Sequence, residues 1–164
     1  MSATLRPVTR WLTPDEQRAW RGYRSMRALL DLRLARDLMR DSGLSEADYD
    51  VLSTLGEADR HRMRLTELAA HMLWSKSRLS HHIARMEQRG LVSREPCDDD
   101  GRGSIVALTA RGRDAIEAAA PSHVESVRRN FIELLEPAEL KALEALTDRV
   151  VANLRRQDPS AAGG

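Results

Sequence analysis

Cysteine and aromatic side chains are scarce in this sequence, and each scarcity removes a class of protein. A single cysteine, Cys97, cannot close a disulfide within the chain, which excludes a disulfide-stapled secreted scaffold. Three Trp, two Tyr and one Phe leave aromatic content at 4% against 31% charged residues. That mixture suits helices built from Leu, Ala, Arg and Glu rather than an all-β fold. No apolar run reads as a signal peptide or a membrane span, so the expectation is a cytoplasmic protein. Also missing are a phosphate-cradling glycine loop, a Ser-His-Asp arrangement in supporting context and paired carboxylates in an apolar setting. No catalysis and no cofactor are expected.

Net charge is small too, at +1 over 164 residues, but the sum hides an uneven distribution. From Arg60 to Arg94 there are eight Lys/Arg against Glu67 and Glu87, a net of +6, with four of the five His in the same window. From Glu136 to Asp148 the balance reverses, with four acids against Lys141. The basic middle is therefore the candidate surface for an anionic partner.

Apolar spacing and capping signals lay out a helical chain. Thr13-Pro14-Asp15-Glu16 opens a long first helix, with apolar residues recurring from Trp20 to Leu38 at spacings of three and four until Ser42-Gly43. Ser45 with Asp48 predicts a capping box on a second helix that ends near Gly56. A compact third helix is expected from a Thr66 cap, and a fourth from a Ser75 cap to Gly90. The fourth places Leu79, Ile83 and Met86 on one face and Lys76, Ser77, Arg78, His81, His82 and Arg85 on the other. Extended runs at Leu91 to Arg94 and Ser104 to Leu108 read as a hairpin around the polar stretch Glu95 to Gly103. A helix from Arg113 to about Leu135, with a kink or break expected at Pro121, precedes a last helix that begins near Pro137. Residues 158–164 read as a frayed tail.

A short helix, a tight connection, an amphipathic helix with a basic face and a charged hairpin are the parts of a winged helix-turn-helix. In that arrangement Leu79, Ile83 and Met86 hold the second helix from behind while its polar face meets base edges in the major groove. Ser75, Lys76, Ser77 and Arg78 stand at the helix start, where amides and the positive dipole end also favour phosphate.

Leu65-Thr66-Glu67-Leu68-Ala69, Ser77-Arg78-Leu79-Ser80, Met86-Glu87-Gln88-Arg89-Gly90-Leu91-Val92, Asp100-Gly101-Arg102 and Leu108-Thr109-Ala110-Arg111-Gly112 follow one another in order. With these, most of the chain resembles the MarR family of transcriptional regulators. The resemblance implies a mainly α fold with a small β-hairpin wing, in which helices from both chain ends form a dimerisation region. It implies one domain over residues 1–164, with 45–110 as the DNA-binding lobe and 11–40 and 113–156 mainly in dimerisation. Double-stranded DNA and a second copy of the chain are the implied partners, with no membrane. The regulator would probe an inverted-repeat operator, and repression relieved by a small aromatic or carboxylate effector is the implied mode. Asp100 and Arg102 occupy the wing's Asp-x-Arg, the arginine entering a narrow minor groove. Gly101 and Gly103 around it, and Asp98 and Asp99 before it, depart from the usual wing; the two aspartates are expected to face solvent or pair with Arg94.

The expected DNA contacts are Thr66, Ser75, Lys76, Ser77, Arg78, Ser80, His81, His82, Arg85, Arg94, Asp100 and Arg102. Trp11, Leu12, Leu134, Leu135, Leu140, Leu143 and Val150 are assigned to the dimer interface, and Trp20, Tyr23, Arg24, Arg27, Tyr49 and Asp50 to an effector site. No metal is expected: His81 and His82 are neighbours pointing about 100° apart, and the other histidines are scattered. Two other readings stand beside this one. A winged helix can serve as a protein interaction module, which predicts an apolar or acidic recognition face. Cys97 could act as a redox sensor, although adjacent Asp98, Asp99 and Asp100 disfavour a thiolate.

Overall fold

The computed structural model describes residues 9–96 and 103–157. Two compact units are present, Met1–Arg33 and Leu34–Gly164. The first holds most of helix α1 (Pro14–Ser42), where Glu16 accepts from the Thr13 amide at 2.8 Å and so completes the cap foreseen at Thr13. Trp20, Tyr23 and Met26 in this part of α1 are exposed.

The second unit runs through the last turns of α1, then α2 (Glu46–Glu57), β1 (Arg62–Arg64), α3 (Leu65–His71), α4 (Lys76–Gln88), β2 (Val92–Pro96), β3 (Ser104–Leu108), α5 (Ala110–Asn130) and α6 (Pro137–Gln157). Its core is one cluster that includes Leu38, Val51, Leu52, Leu55, Leu68, Leu79, Ile83, Met86, Val92 and Val106. Burying aliphatic side chains on this scale supplies the main driving force for the unit, at roughly 25 cal/mol per Å² of apolar surface removed from water. The sheet is antiparallel in the order β1-β3-β2, with Met63 opposite Val106 and Arg94 opposite the same residue from the other side. The chain is thus mainly helical with a small three-stranded sheet, the winged helix fold.

Local chemistry explains the element ends. Ser45 and Asp48 form the reciprocal capping box, Asp48 N donating to Ser45 Oγ at 3.1 Å and Ser45 N to Asp48 Oδ2 at 3.0 Å. Thr109 caps α5 and also donates its hydroxyl to the Gly90 carbonyl at 2.7 Å, tying the start of α5 to the end of α4. Gly112 follows because α5 crosses the chain at close range. A Cβ at this position would run into the Leu91 carbonyl oxygen and meet the Leu108 side chain at 2.8 Å.

Several expectations shift. Helix α3 starts at Leu65, with Arg64 as its cap residue and Glu67 accepting from the Arg64 amide at 3.3 Å, two residues earlier than a Thr66 cap implies. β2 runs to Pro96, and β1 is a third strand beyond the expected hairpin. The helix expected from Arg113 to Leu135 spans Ala110–Asn130 and continues through Pro121. Pro121 and Glu117 are both exposed, so water can satisfy the carbonyl that proline leaves without a donor. A short 3₁₀ turn, Ile132–Leu134, then separates α5 from α6. The expected tail at 158–164 lies outside the described residues. Among the described residues no helix is long and apolar enough to cross a membrane.

Candidate nucleic-acid interface

Helix α4 is built to present one face. Ser75 caps it by accepting from the Arg78 amide at 3.2 Å, and Leu79, Ile83 and Met86 are fully buried behind it. Lys76, Ser77, Arg78, His81 and Arg85 are all exposed on the other side, with Ser80 half-buried. Thr66 is exposed in the first turn of α3. The outward surface of the helix-turn-helix therefore combines guanidinium, ammonium, hydroxyl and imidazole groups, a donor-rich set suited to phosphate and to the acceptors on guanine.

The structure corrects one placement on this face. His82 is 8% exposed and turns inward, its Nε2 3.1 Å from Asp48 Oδ1. The reason is periodicity: residue 82 lies three after Leu79 and four before Met86, on the apolar side of the helix. The inner network continues outward. Arg89 donates to Asp48 Oδ2 at 2.7 Å and to the Gly43 carbonyl at 3.3 Å. Burial of Asp48 would raise its pKa, but the close contact with His82 and hydrogen bonds from Arg89 and Ser45 overcome that and hold the carboxyl well below the usual carboxylate range.

Arg94, expected at DNA, holds the wing to α4. Its Nη2 donates to the Ser80 carbonyl at 2.5 Å, its amide donates to Glu87 at 3.1 Å, and Nε lies 3.7 Å from Glu87 Oε2. Its partners among the described residues are Ser80 and Glu87; Asp98 and Asp99, expected to face solvent or pair with it, lie outside those residues. Asp98, Asp99, Asp100 and Arg102, and with them the minor-groove part of the wing, lie outside the described residues, as does Cys97.

The remaining expected sites fall in different surroundings. In the first unit Trp20 and Tyr23 stack at 5.7 Å between ring centroids and 25° between planes, with Arg24 and Arg27 exposed on the same helix. In the second, Tyr49 is half-buried against His123 at 4.3 Å, and burial raises the pKa of both the Tyr49 phenol and the Asp50 carboxyl. A cavity of about 390 Å³ is lined by Asp50, Ser53, Thr54, Glu57, His71 and Met72. Of the six expected effector residues only Asp50 lines it, and its two carboxylates make it a poor seat for an anion. Of the expected interface residues, Trp11, Leu12, Leu134, Leu140 and Val150 are exposed, while Leu135 and Leu143 are half-buried. No group of three or more His, Cys, Asp or Glu able to hold a metal occurs among the described residues.

Sequence reasoning missed Trp74, Asp48 as more than a cap, and Arg89. The signal for Asp48 was present, since it sits between Leu44 and Leu52 at helical spacing on a buried stripe.

Comparison with known proteins bears on this surface. The MarR family model matches residues 42–103. AbsC, a MarR family transcriptional regulator from Streptomyces coelicolor, is 44% identical, with a TM-score of 0.85 over 90% of this chain and 99% of that one. A second MarR family transcriptional regulator from Streptomyces coelicolor, solved in complex with DNA, is 39% identical, with a TM-score of 0.87 over 92% and 94% of the two chains. The HTH-type transcriptional repressor YetL of Bacillus subtilis is 29% identical over 66% of this chain and 66% of its own length. The transcriptional regulator HosA of Escherichia coli is 29% identical over 80% of this chain and 95% of its own.

Proposed function

Because the chain belongs to the MarR family of transcriptional regulators, and is therefore a DNA-binding regulator and not an enzyme, we propose that it is a homodimeric repressor. Each subunit would set one copy of α4 in the major groove of an inverted-repeat operator. The observation that carries this reading is the division of α4 into a fully buried face of Leu79, Ile83 and Met86 and an exposed face of Lys76, Ser77, Arg78, His81 and Arg85. A basic, hydroxyl-bearing face speaks against the protein-interaction alternative, which needs an apolar or acidic one. Arg78 and Arg85 are assigned to base edges; Thr66, Ser75, Lys76, Ser77, Ser80 and His81 to supporting contacts; and Arg102, oriented by Asp100, to the minor groove. Two copies must stand about one helical turn of DNA apart.

Dimerisation is supported by apolar side chains that the chain leaves uncovered at both ends. Trp11 is 82% exposed, Leu134 72%, and α6 contains no buried residue. Exposing so much apolar surface on two terminal segments is costly unless a second copy covers it. An effector that relieves binding would use the stacked Trp20–Tyr23 pair, with Arg24 and Arg27 close by in sequence, for an aromatic acid. It must prefer the DNA-incompetent arrangement, since equal affinity for both arrangements shifts nothing. A cytoplasmic location follows from the DNA partner.

The test is titration of the purified protein against DNA flanking its own gene and against an unrelated duplex, over a range of salt. Preferred binding to the flanking DNA, falling steeply with salt, is expected; equal weak binding to both duplexes removes the regulator reading. Adding benzoate as a probe should then lower operator affinity, and an unchanged affinity rejects an aromatic acid of that kind.

A further inference from the structure

Beneath the exposed arginines of α4 a row of side chains, a brace, joins the edge of the core to the α2 cap. The Arg78 guanidinium carbon sits 3.9 Å above the Trp74 ring. Trp74 in turn meets the His82 ring edge to face at 5.6 Å and 85°. His82 is held at one nitrogen and faces a carboxylate with the other: Arg85 Nη2 donates to Nδ1 at 3.0 Å, and Asp48 Oδ1 lies 3.1 Å from Nε2 but out of line for a hydrogen bond. Arginine only donates, so Nδ1 is the acceptor in this contact. Asp48 is fixed by Arg89 and by the Ser45 amide at the start of α2. Each end of the brace thus carries one outward arginine, and its foot stands on another helix.

Resting on the DNA-binding reading above, we propose that Trp74 and His82 are positioning residues that set Arg78 and Arg85 for base recognition before DNA arrives. Each arginine loses rotamer freedom against a fixed partner in the free protein, so less is lost on binding. The cation–π contact with Trp74 engages the charge of the Arg78 guanidinium and ties none of its N–H donors to an oxygen or nitrogen acceptor, so its fork of donors serves a guanine. Arg85 is held by one N–H through Nη2, leaving the other donors of its fork. The benefit falls on sequence-specific binding. Non-specific attraction depends on the number of charges, which the brace does not alter.

The experiment compares full-length variants on a duplex that the parent selects from a random-sequence pool and on an unrelated duplex of equal length, with thermal unfolding recorded for each protein. His82→Asn puts an acceptor near the position of Nδ1, whereas His82→Gln puts an amide donor near the position of Nε2. The brace predicts that Asn keeps most operator affinity even though the Asp48 link is lost. Gln should unfold like the parent yet lose operator affinity by about tenfold, with unrelated-duplex binding and salt slope unchanged. Trp74→Leu should show a similar selective loss, and Trp74→Phe should restore most of it, since phenylalanine keeps a π face. If Gln binds the operator like the parent, or if operator and unrelated affinities fall together in line with thermal stability, His82 only packs the lobe and the proposal fails. A parent that selects no sequence overturns the DNA reading and the brace with it; a discriminating parent whose variants all discriminate equally overturns the brace alone.

Discussion

Helices α4 and α6 are written in the same style, with aliphatic residues three and four apart and charges between them, yet the chain completes only one of them. Leu79, Ile83 and Met86 of α4 are wholly buried, whereas Leu154 of α6 is 57% exposed and no residue of α6 is buried. Amphipathic spacing specifies that a stripe exists, and the rest of the chain decides what covers it. For α4 the cover is α2, α3 and the sheet within one core; for α6 we assign it to a second copy. Stability should therefore depend on the two helices in different ways.

The largest expected effect separates them directly. Ile83→Ala should cost about 3 kcal/mol through lost burial and the cavity left behind, and the loss should be the same at every protein concentration. Leu140→Ala with Leu146→Ala should leave the dilute protein's unfolding little changed but weaken self-association by about a hundredfold, read by sedimentation equilibrium. A double variant that associates like the parent would remove α6 from the interface.

Gly112→Ala sharpens the same contrast from the α5 side. In an open helix this change stabilises by about 1 kcal/mol through propensity. Here the added methyl meets the Leu91 carbonyl oxygen, a backbone atom that cannot swing aside, so a destabilisation of about 2 kcal/mol is expected. The urea midpoint decides between the two signs.

The parts of this architecture that were legible in the sequence are those set by short-range chemistry. The Ser45–Asp48 box, the Ser75 cap and the buried stripe of α4 each depend on residues within a turn or two of one another, and each appears as read. β1 was not legible: Arg62-Met63-Arg64 alternates polar, apolar and polar over only three residues, too short a run to read, and pairing with β3 makes it a strand. His82 was misplaced because its polarity outweighed its position, although spacing from Leu79 and Met86 already turned it inward. The roles of Arg89, Arg94 and Trp74 depend on contacts made across the fold. Arg89 to Asp48 spans 41 residues, a distance at which no local pattern speaks.

Acid should expose that long-range network. The Asp48 carboxyl titrates well below its unfolded value of about 3.9, so it stabilises the fold above that pH and the contribution is lost as pH falls below it. Asp48→Asn should be less stable than the parent at pH 7 and lose less of its stability between pH 5 and pH 3. Parallel urea midpoints for the two proteins across that range would show that Asp48 does not couple acid to unfolding.

The smallest effect comes from comparing how α3 and α4 end. Both close with the same pair of bonds: Gly90 N to Glu87 O and Leu91 N to Met86 O after α4, Leu73 N to Ala70 O and Trp74 N to Ala69 O after α3. This closure needs a left-handed residue, and α4 supplies Gly90 at φ +71 while α3 supplies Leu73 at φ +55. A leucine there costs about 1 kcal/mol in backbone strain, and its side chain, 76% exposed, recovers little by packing. Leu73→Gly relieves the strain but frees the unfolded chain, so a net gain of about 0.5 kcal/mol is expected, while Gly90→Ala should lose about 1 kcal/mol. The strained turn lies immediately before Trp74, the platform under Arg78. If Leu73→Gly raises the melting temperature yet lowers operator affinity, the left-handed leucine is retained because a stiff turn fixes Trp74; if affinity is unchanged, the strain at α3 serves the closure alone.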